Sequence, residues 1–407
     1  MKRNEPILVC ALARWTSSAC GDEGFFKESE GKPYCVLHYP GRDKGDAFHS
    51  ALIKKLEAKD FNFSGVSFPD TMNFEGFRFS GDASFSGATF HGNAYFGQVV
   101  FDGTAEFYKT TFLKNVYFHR TAFGGTANFY KATFHMQAYF GEITLTACAR
   151  FRSAVFKDYV RFVGSEGTKD LGTQASLDLQ FAHVEKPDHF SLHTLRLQPH
   201  WFVNIDARRF EFIDVEWFGR GLKDELSGLS ERVTGGHRLL AIAYRQLAVN
   251  AEENHRYREA SRFRYDAFQA SRMERFGGVV PWRLDWWYWL ASGYGESIGR
   301  ALLVFIALIA FFAVAYTRVG FEIVRGLQGA PIMANASETS VTPSPDGRGR
   351  PLGPTEAAIY SAYVTILQKP EPKPLTSSAK ALVWMEMVLG PTQAALLLLA
   401  VRRKFMR

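Results

Sequence analysis

Apolar positions between residues 63 and 162 recur at steps that alternate five and six without a slip. Phe63, Phe68, Phe74, Phe79, Phe85, Phe90, Phe96, Phe101, Phe107, Phe112, Phe118, Phe123, Phe129, Phe134, Phe140, Phe151, Phe156 and Phe162 carry the beat, and Leu145 fills the one remaining place. A period of 3.6 marks a helix and a period of 2 a strand. A combined period of eleven fits neither and predicts a repeat architecture. Units this short cannot bury their own ring, so coils must stack and enclose the rings in a continuous axial column. Each buried Phe contributes roughly 1.5–3 kcal/mol of transfer free energy. Small residues fill the intervals, as in Ala88-Thr89-Phe90-His91-Gly92-Asn93-Ala94-Tyr95-Phe96, and Gly supplies the positive φ that some corners need.

The pattern changes on both sides of the repeat. Residues 47–59 read as a short amphipathic helix with Leu52, Ile53 and Leu56 on one face, placed to cap the first coil and its unpaired edge. After Phe162 the beat is lost over residues 164–168, then returns with irregular steps over 175–218, as wider final coils. Residues 229–278 read as a helical hairpin, with a polar break over 250–255. Two long apolar runs follow, at about 298–320 and 380–401, each long enough to span a bilayer. An aromatic belt, Pro281-Trp282-Arg283-Leu284-Asp285-Trp286-Trp287-Tyr288-Trp289, precedes the first. Between the runs lie a Pro/Gly/Ser-rich linker, 329–354, and a short apolar helix at about 356–367.

A length of 407 residues predicts two or three domains, and the net charge is +7. Within the repeat, Arg78, Lys109 and Arg161 are matched by Asp70, Glu75, Asp102 and Glu106. No basic stripe interleaved with aromatics appears, so nucleic acid is not expected as a partner. No phosphate loop, nucleophile elbow or zinc-protease motif is present, and no enzyme is expected. The opening residues contain no secretory signal, and four cysteines do not make a secreted disulfide framework, so the N-terminal part is expected in a reducing compartment.

Cys35 and His38 stand like one half of a zinc knuckle, and Cys10 and Cys20 can complete a Cys3His set for zinc. A metal would replace the core that residues 1–46 are too short to build; the other reading is a lead-in with reduced thiols. Cys148 reads as a small buried apolar residue. Arg256, Arg258, Arg262, Arg264, Arg272 and Arg275 of the hairpin read either as a solvated face or as a surface for anionic lipid headgroups. Basic residues flank the start of the first apolar run and the end of the second, which predicts cytoplasmic N- and C-termini. Glu386 lies inside the second run and is either functional or close enough to its outer end to snorkel. Pro391 predicts a kink.

The Phe beat resembles the pentapeptide-repeat family in its Phe-centred variant, over Phe61 to about Phe162. The resemblance implies a right-handed quadrilateral β-helix with four short faces per coil. Pentapeptide β-helices that imitate duplex DNA need a strongly acidic surface, which this chain lacks. The rest resembles pentapeptide-repeat membrane proteins that carry a helical hairpin, a Tyr-Gly-Glu motif (Tyr294-Gly295-Glu296) and a two-span potassium-channel-like domain with a re-entrant pore helix. The selectivity-filter motif is degenerate: Thr365 is followed by Ile366-Leu367-Gln368-Lys369-Pro370, without either Gly of the family pattern. Potassium selectivity is therefore not expected. The fold class implied is mainly β plus α: a β-helix over 61–218, the hairpin, then a membrane domain over 279–407. Thr365, Ile366, Leu367, Gln368 and Glu386 are its pore candidates. The expected protein is multi-pass in the bacterial inner membrane, a homo-oligomer and tetrameric if channel-like, with an unidentified protein partner on the β-helix. The alternative is a membrane-anchored scaffold without conductance.

Overall fold

The computed structural model describes residues 10–11, 20, 23–165, 169, 171, 176–219, 221–229, 235–276, 283–322, 350–368 and 371–405. The predicted linker up to residue 349, Pro281-Trp282 and Lys369-Pro370 lie outside them. The chain divides into two compact units, Met1–Arg275 and Phe276–Arg407.

In the first unit, strands of two to four residues form four main parallel sheets of five, six, seven and four strands, with a two-stranded parallel pair in the final coils. Strands this short have no partner within their own coil. Their backbone groups bond to the next coil instead, as in Phe96 N–H to Tyr117 O at 2.8 Å and Gly87 N–H to Tyr108 O at 2.7 Å. The register is constant through the repeat: Ala83 pairs with Ala105, Ala105 with Ala127, and Ala127 with Ala149. Two eleven-residue beats therefore close one coil, and the seven-stranded sheet makes four such steps, from Met72 to Val160, before its spacing changes.

The single ring column expected from the sequence is in fact four columns. Phe63, Phe85, Phe107, Phe129 and Phe151 stack at 5.0, 5.0, 4.7 and 4.6 Å between centroids. Phe68 and Phe74 each begin a second and third column of the same kind, and Phe79 a fourth that Leu145 ends. Rings in neighbouring columns meet edge to face, as Phe96 and Phe107 do at 85°. Offset stacking and edge contacts are the two arrangements that aromatic quadrupoles favour.

The corners also differ from the expectation. Gly65, Gly76 and Gly87 hold positive φ, and the same corner then recurs every eleven residues at Gln98, Lys109, Arg120, Lys131, Glu142 and Ser153. Register, not glycine, imposes the left-handed corner in the later coils.

Both ends of the solenoid are closed. Helix α1, Gly45–Glu57, covers the first coil and sets Phe48 edge-on against Phe68 at 5.8 Å. At the other end the coils widen, so that Ala149 pairs with Leu177 and Val160 with Phe190. Helices α2 (Leu222–Ser227), α3 (Gly236–Glu253) and α4 (Tyr257–Phe276) follow. The predicted break over 250–255 is present but begins later, since α3 runs on to Glu253 and α4 starts at Tyr257. Asn250 is instead a buried plug: its amide donates to the carbonyls of Ala207, Arg208 and Phe210, at 3.2, 3.0 and 2.7 Å, and closes the last coil. Arg256 and Arg264 pair with Glu259 and Glu252, so the hairpin is less cationic than its arginine count suggests.

The second unit contains α5 (Leu284–Ser292), α6 (Ile298–Tyr316), α7 (Pro354–Thr365) and α8 (Ser377–Phe405). Helices α6 and α8 are long and apolar enough to cross a membrane, with 17% of each apolar window buried. The short helix α7 packs against both. Phe312, Tyr316, Phe321, Tyr360 and Val364 form the core where the three meet. Pro391 is accommodated inside α8, which continues through it.

Candidate functional site

Cys10, Cys20, Cys35 and His38 are all buried, and their ligand atoms lie within 4.8 Å of one another. A hairpin, Lys27–Ser29 with Lys32–Tyr34, leads into the turn that carries Cys35 and His38. Ala11 N–H bonds to Pro33 O at 2.7 Å and draws the Cys10 segment onto the same turn. That backbone contact brings Cys10 to Cys35, 25 residues on in sequence. His38 Nδ1 lies 3.3 Å from Cys20 Sγ and 3.1 Å from Cys35 Sγ. Its Nε2 lies 3.0 Å from the Ser64 carbonyl and donates to it, so Nδ1 is the ring nitrogen that faces the thiols.

Hydrogen bonds from Cys20 and Cys35 hold the Cys10 thiol far below its usual range, while the same exchange, led by Cys10, pushes Cys20 up. Burial alone opposes a charge on His38, but hydrogen bonds to Cys10 and Cys35 outweigh it and raise the imidazole to about 9. Three thiols and an imidazole are a donor set of the kind soft and borderline metals prefer. The cluster can hold a metal ion. Behind it, buried Lys44 donates to the carbonyls of Leu37 and Ser67, and burial lowers its ammonium to about 7. Leu37 O also accepts from Ser67 N–H at 3.0 Å, so the centre is bonded directly to the first coil. Cys148 takes no part: it is half-buried within the solenoid.

The second unit holds a separate polar cluster. Glu386 of α8 is 0% exposed. Tyr316 of α6 donates to its Oε2, and Ser361 and Thr365 of α7 reach its Oε1, Thr365 at 3.3 Å. Glu386 therefore does not snorkel; it is enclosed by three helices. Gly390, one turn on, packs closely on α7, and a Cβ there would stand 3.1 Å from Thr365. Of the other pore candidates, Ile366, Leu367 and Gln368 are exposed, just past the end of α7.

The Tyr-Gly-Glu segment forms a tight turn between α5 and α6. Gly293, Tyr294 and Gly295 all have positive φ. Arg403, near the end of α8, donates to Tyr294 O at 3.0 Å and to Glu296 at 3.3 Å. Gln393 of α8 donates to Ala291 O and Ala301 O at 2.9 and 2.8 Å. Sequence reasoning singled out the motif but not these partners, which lie about a hundred residues away.

A family model described as "Pentapeptide repeats (9 copies)" matches residues 63–111. That stretch covers the earlier coils of the Phe-lined solenoid. No curated protein matches the chain, and no solved structure does. The chain thus carries a pentapeptide-repeat β-solenoid, followed by helices of which two have the length and composition to cross a membrane.

Proposed function

We propose that this is a multi-pass protein of the bacterial inner membrane, in which the second unit forms an ion-channel-like oligomer and the first is a cytosolic sensor or docking platform. The observation that carries the reading is the seating of α7. A twelve-residue helix sits against two apolar spans, fixed to both by side chains around Glu386, with residues 366–368 exposed at its end. That is the layout of a re-entrant pore helix between an outer and an inner span. The exposed apolar faces of α6, α7 and α8 would meet lipid or neighbouring copies, with four-fold assembly as the expected form. The start of α6 and the end of α8 are joined by Gln393 and Arg403, so Arg300, Arg402 and Arg403 fall on one side. By the positive-inside rule that side, with both termini, is cytoplasmic. Potassium selectivity is not part of the reading, because no glycine follows Thr365 over residues 366–368. Zinc in the Cys3His centre is structural, closing the mouth of the solenoid, and the protein carries no catalysis.

A second reading, a membrane-anchored scaffold, is favoured by one observation. Thr365 and Glu386 spend their polar atoms inside one subunit, where they do not line a pathway. Reconstitution separates the two. Conductance lost on substitution of residues 365–368, together with a tetramer in detergent, supports the channel. A silent bilayer and a monomer support the scaffold. Zinc analysis of the purified protein, with Cys35→Ala as control, tests the metal.

A further inference from the structure

The Glu386 cluster has a hydrogen inventory that does not balance for a carboxylate. Ser361 Oγ lies within hydrogen-bonding distance of two acceptors, Glu386 Oε1 and, at 3.1 Å, the carbonyl oxygen of Ile309. A serine hydroxyl has one proton and can donate to only one of them. The amide carbonyl carries no proton, so the second contact is satisfied when Glu386 Oε1 carries one. In that arrangement Ser361 donates to Ile309 O and accepts from Glu386 Oε1–H, while Tyr316 donates to the carbonyl-like Oε2. Every polar atom of the cluster then has a partner.

The surroundings point the same way. From α6 the carboxyl faces Tyr316, and from α7 it faces Tyr360, Ser361 and Thr365, all uncharged. Among the described residues no cation pairs with it. A buried carboxylate without a counter-charge is strongly disfavoured in an apolar bundle, and a neutral acid is not.

We propose that Glu386 is a proton-binding site of the second unit: a neutral carboxylic acid whose bound proton seats α7 against α6 and α8. Loss of the proton to hydroxide leaves Oε1 and Ile309 O competing for the single Ser361 proton, and places an uncompensated negative charge between the three helices. The charge is relieved by admitting water, which unseats α7. Proton occupancy thus controls the residues just beyond α7. The inference needs only the three-helix bundle, not conduction, and a silent bilayer leaves it standing.

The test uses the full-length chain in detergent. Infrared difference spectra should show a protonated-carboxyl stretch that disappears in Glu386→Gln. Amide exchange along α7, corrected for its intrinsic pH dependence, should rise about tenfold or more at alkaline pH in the parent and stay at its neutral-pH level in Glu386→Gln. Ser361→Ala keeps the acid but removes its acceptor, so its carboxyl band should shift to higher frequency. If Glu386→Gln does not fold, that shift decides the question. Absence of the band, an unshifted band in Ser361→Ala, or α7 exchange that rises with pH equally in parent and Glu386→Gln overturns the proposal. So does stabilisation of the parent by sodium that Glu386→Gln lacks, which would show a bound metal cation in place of the proton.

Discussion

The two units place the same kind of residue in opposite surroundings. In the solenoid, Phe79, Phe85, Phe90, Phe96 and Phe101 are 0% exposed, and each ring is covered by rings of its own chain. In the helical unit, Leu303, Phe311 and Trp384 are 68%, 61% and 70% exposed. Soluble monomers rarely leave so much contiguous apolar surface uncovered. The solenoid makes its own apolar medium by stacking; the helical unit requires one from outside. Polar groups invert in the same way. The repeat coils carry ion pairs such as Arg120 with Glu142 at the surface, whereas the helical unit encloses Glu386 among three helices.

The largest effect should come from breaking the ring columns. Phe118 stacks on Phe96 and Phe140 at 4.9 and 5.1 Å and meets Phe107 and Phe129 edge-on. Phe118→Ala should destabilise the first unit by about 3–5 kcal/mol, read by chemical denaturation. Phe311→Ala, the same change on an exposed ring, should alter detergent stability by no more than about 0.5 kcal/mol. Equal losses would mean that α6 is packed inside the protein, and the contrast between the units would fail.

Metal removal comes next and should act on one unit alone. A ligand at a hundredfold excess over its Kd adds about 2.7 kcal/mol to a folded state that holds it. Chelation should therefore lower the first unit's unfolding midpoint and leave the helical signal of the second unchanged. Cys35→Ala should reproduce the loss and abolish the effect of chelator. A parent indifferent to chelator would mean that the four ligands form only a thiol–imidazole network.

How much of this the sequence discloses follows from where each partner lies. The ring beat is legible because a coil is a local object, and its period is printed directly in the chain. The four columns are not legible from the beat alone, since a period of eleven does not say how many beats close a coil. Cys35 and His38 are three residues apart and suggest a ligand pair unaided. Cys10 joins them through a fold-dependent bond from Ala11 to Pro33, which no local spacing announces. Glu386 has partners 21, 25 and 70 residues away, on two other helices. Nothing in its own neighbourhood reveals that it is enclosed. The tryptophans of 286–289 read as a belt, and their interfacial character hid the helix α5 that carries them.

An acid in each unit sharpens the comparison. Asp266 of α4 is half-buried; burial pushes it up to about 6, with Arg262 opposing and Glu225 adding to the rise. A raised carboxyl contributes stability that is complete below its unfolded value near 4 and lost as pH climbs through about 6. Asp266→Asn removes that dependence. It should stabilise the first unit at neutral pH by roughly 1–3 kcal/mol and leave acid stability nearly unchanged. Glu386→Gln, in contrast, replaces an acid already neutral and should gain nothing at pH 7. A neutral-pH gain in the second variant and none in the first would reverse the assignment of which unit tolerates a charge inside.

The smallest effect concerns the left-handed corners, and it asks whether stacking dictates backbone shape. Gly76 and Gln98 occupy the same corner one coil apart, at φ of 70° and 55°. A side chain in this region costs about 1 kcal/mol, partly offset by the lower entropy of its unfolded chain. Gly76→Ala should therefore destabilise by about 1 kcal/mol, and Gln98→Gly should stabilise by a few tenths to about 1 kcal/mol. Lys109 sits at the corresponding corner half a coil on, with its ammonium 5.1 Å from the Tyr108 ring. That contact is worth about 0.5–1 kcal/mol at an exposed site, so Lys109→Gly should come out close to neutral. Leu367, at φ 61° just past α7, has no coil above or below to impose its shape. If ring stacking holds the solenoid corners, Gln98→Gly leaves the exchange of neighbouring amides unchanged, whereas Leu367→Gly loosens the end of α7. Equal loosening at both sites would show that the corners are held locally, residue by residue, and that the coils do not enforce them.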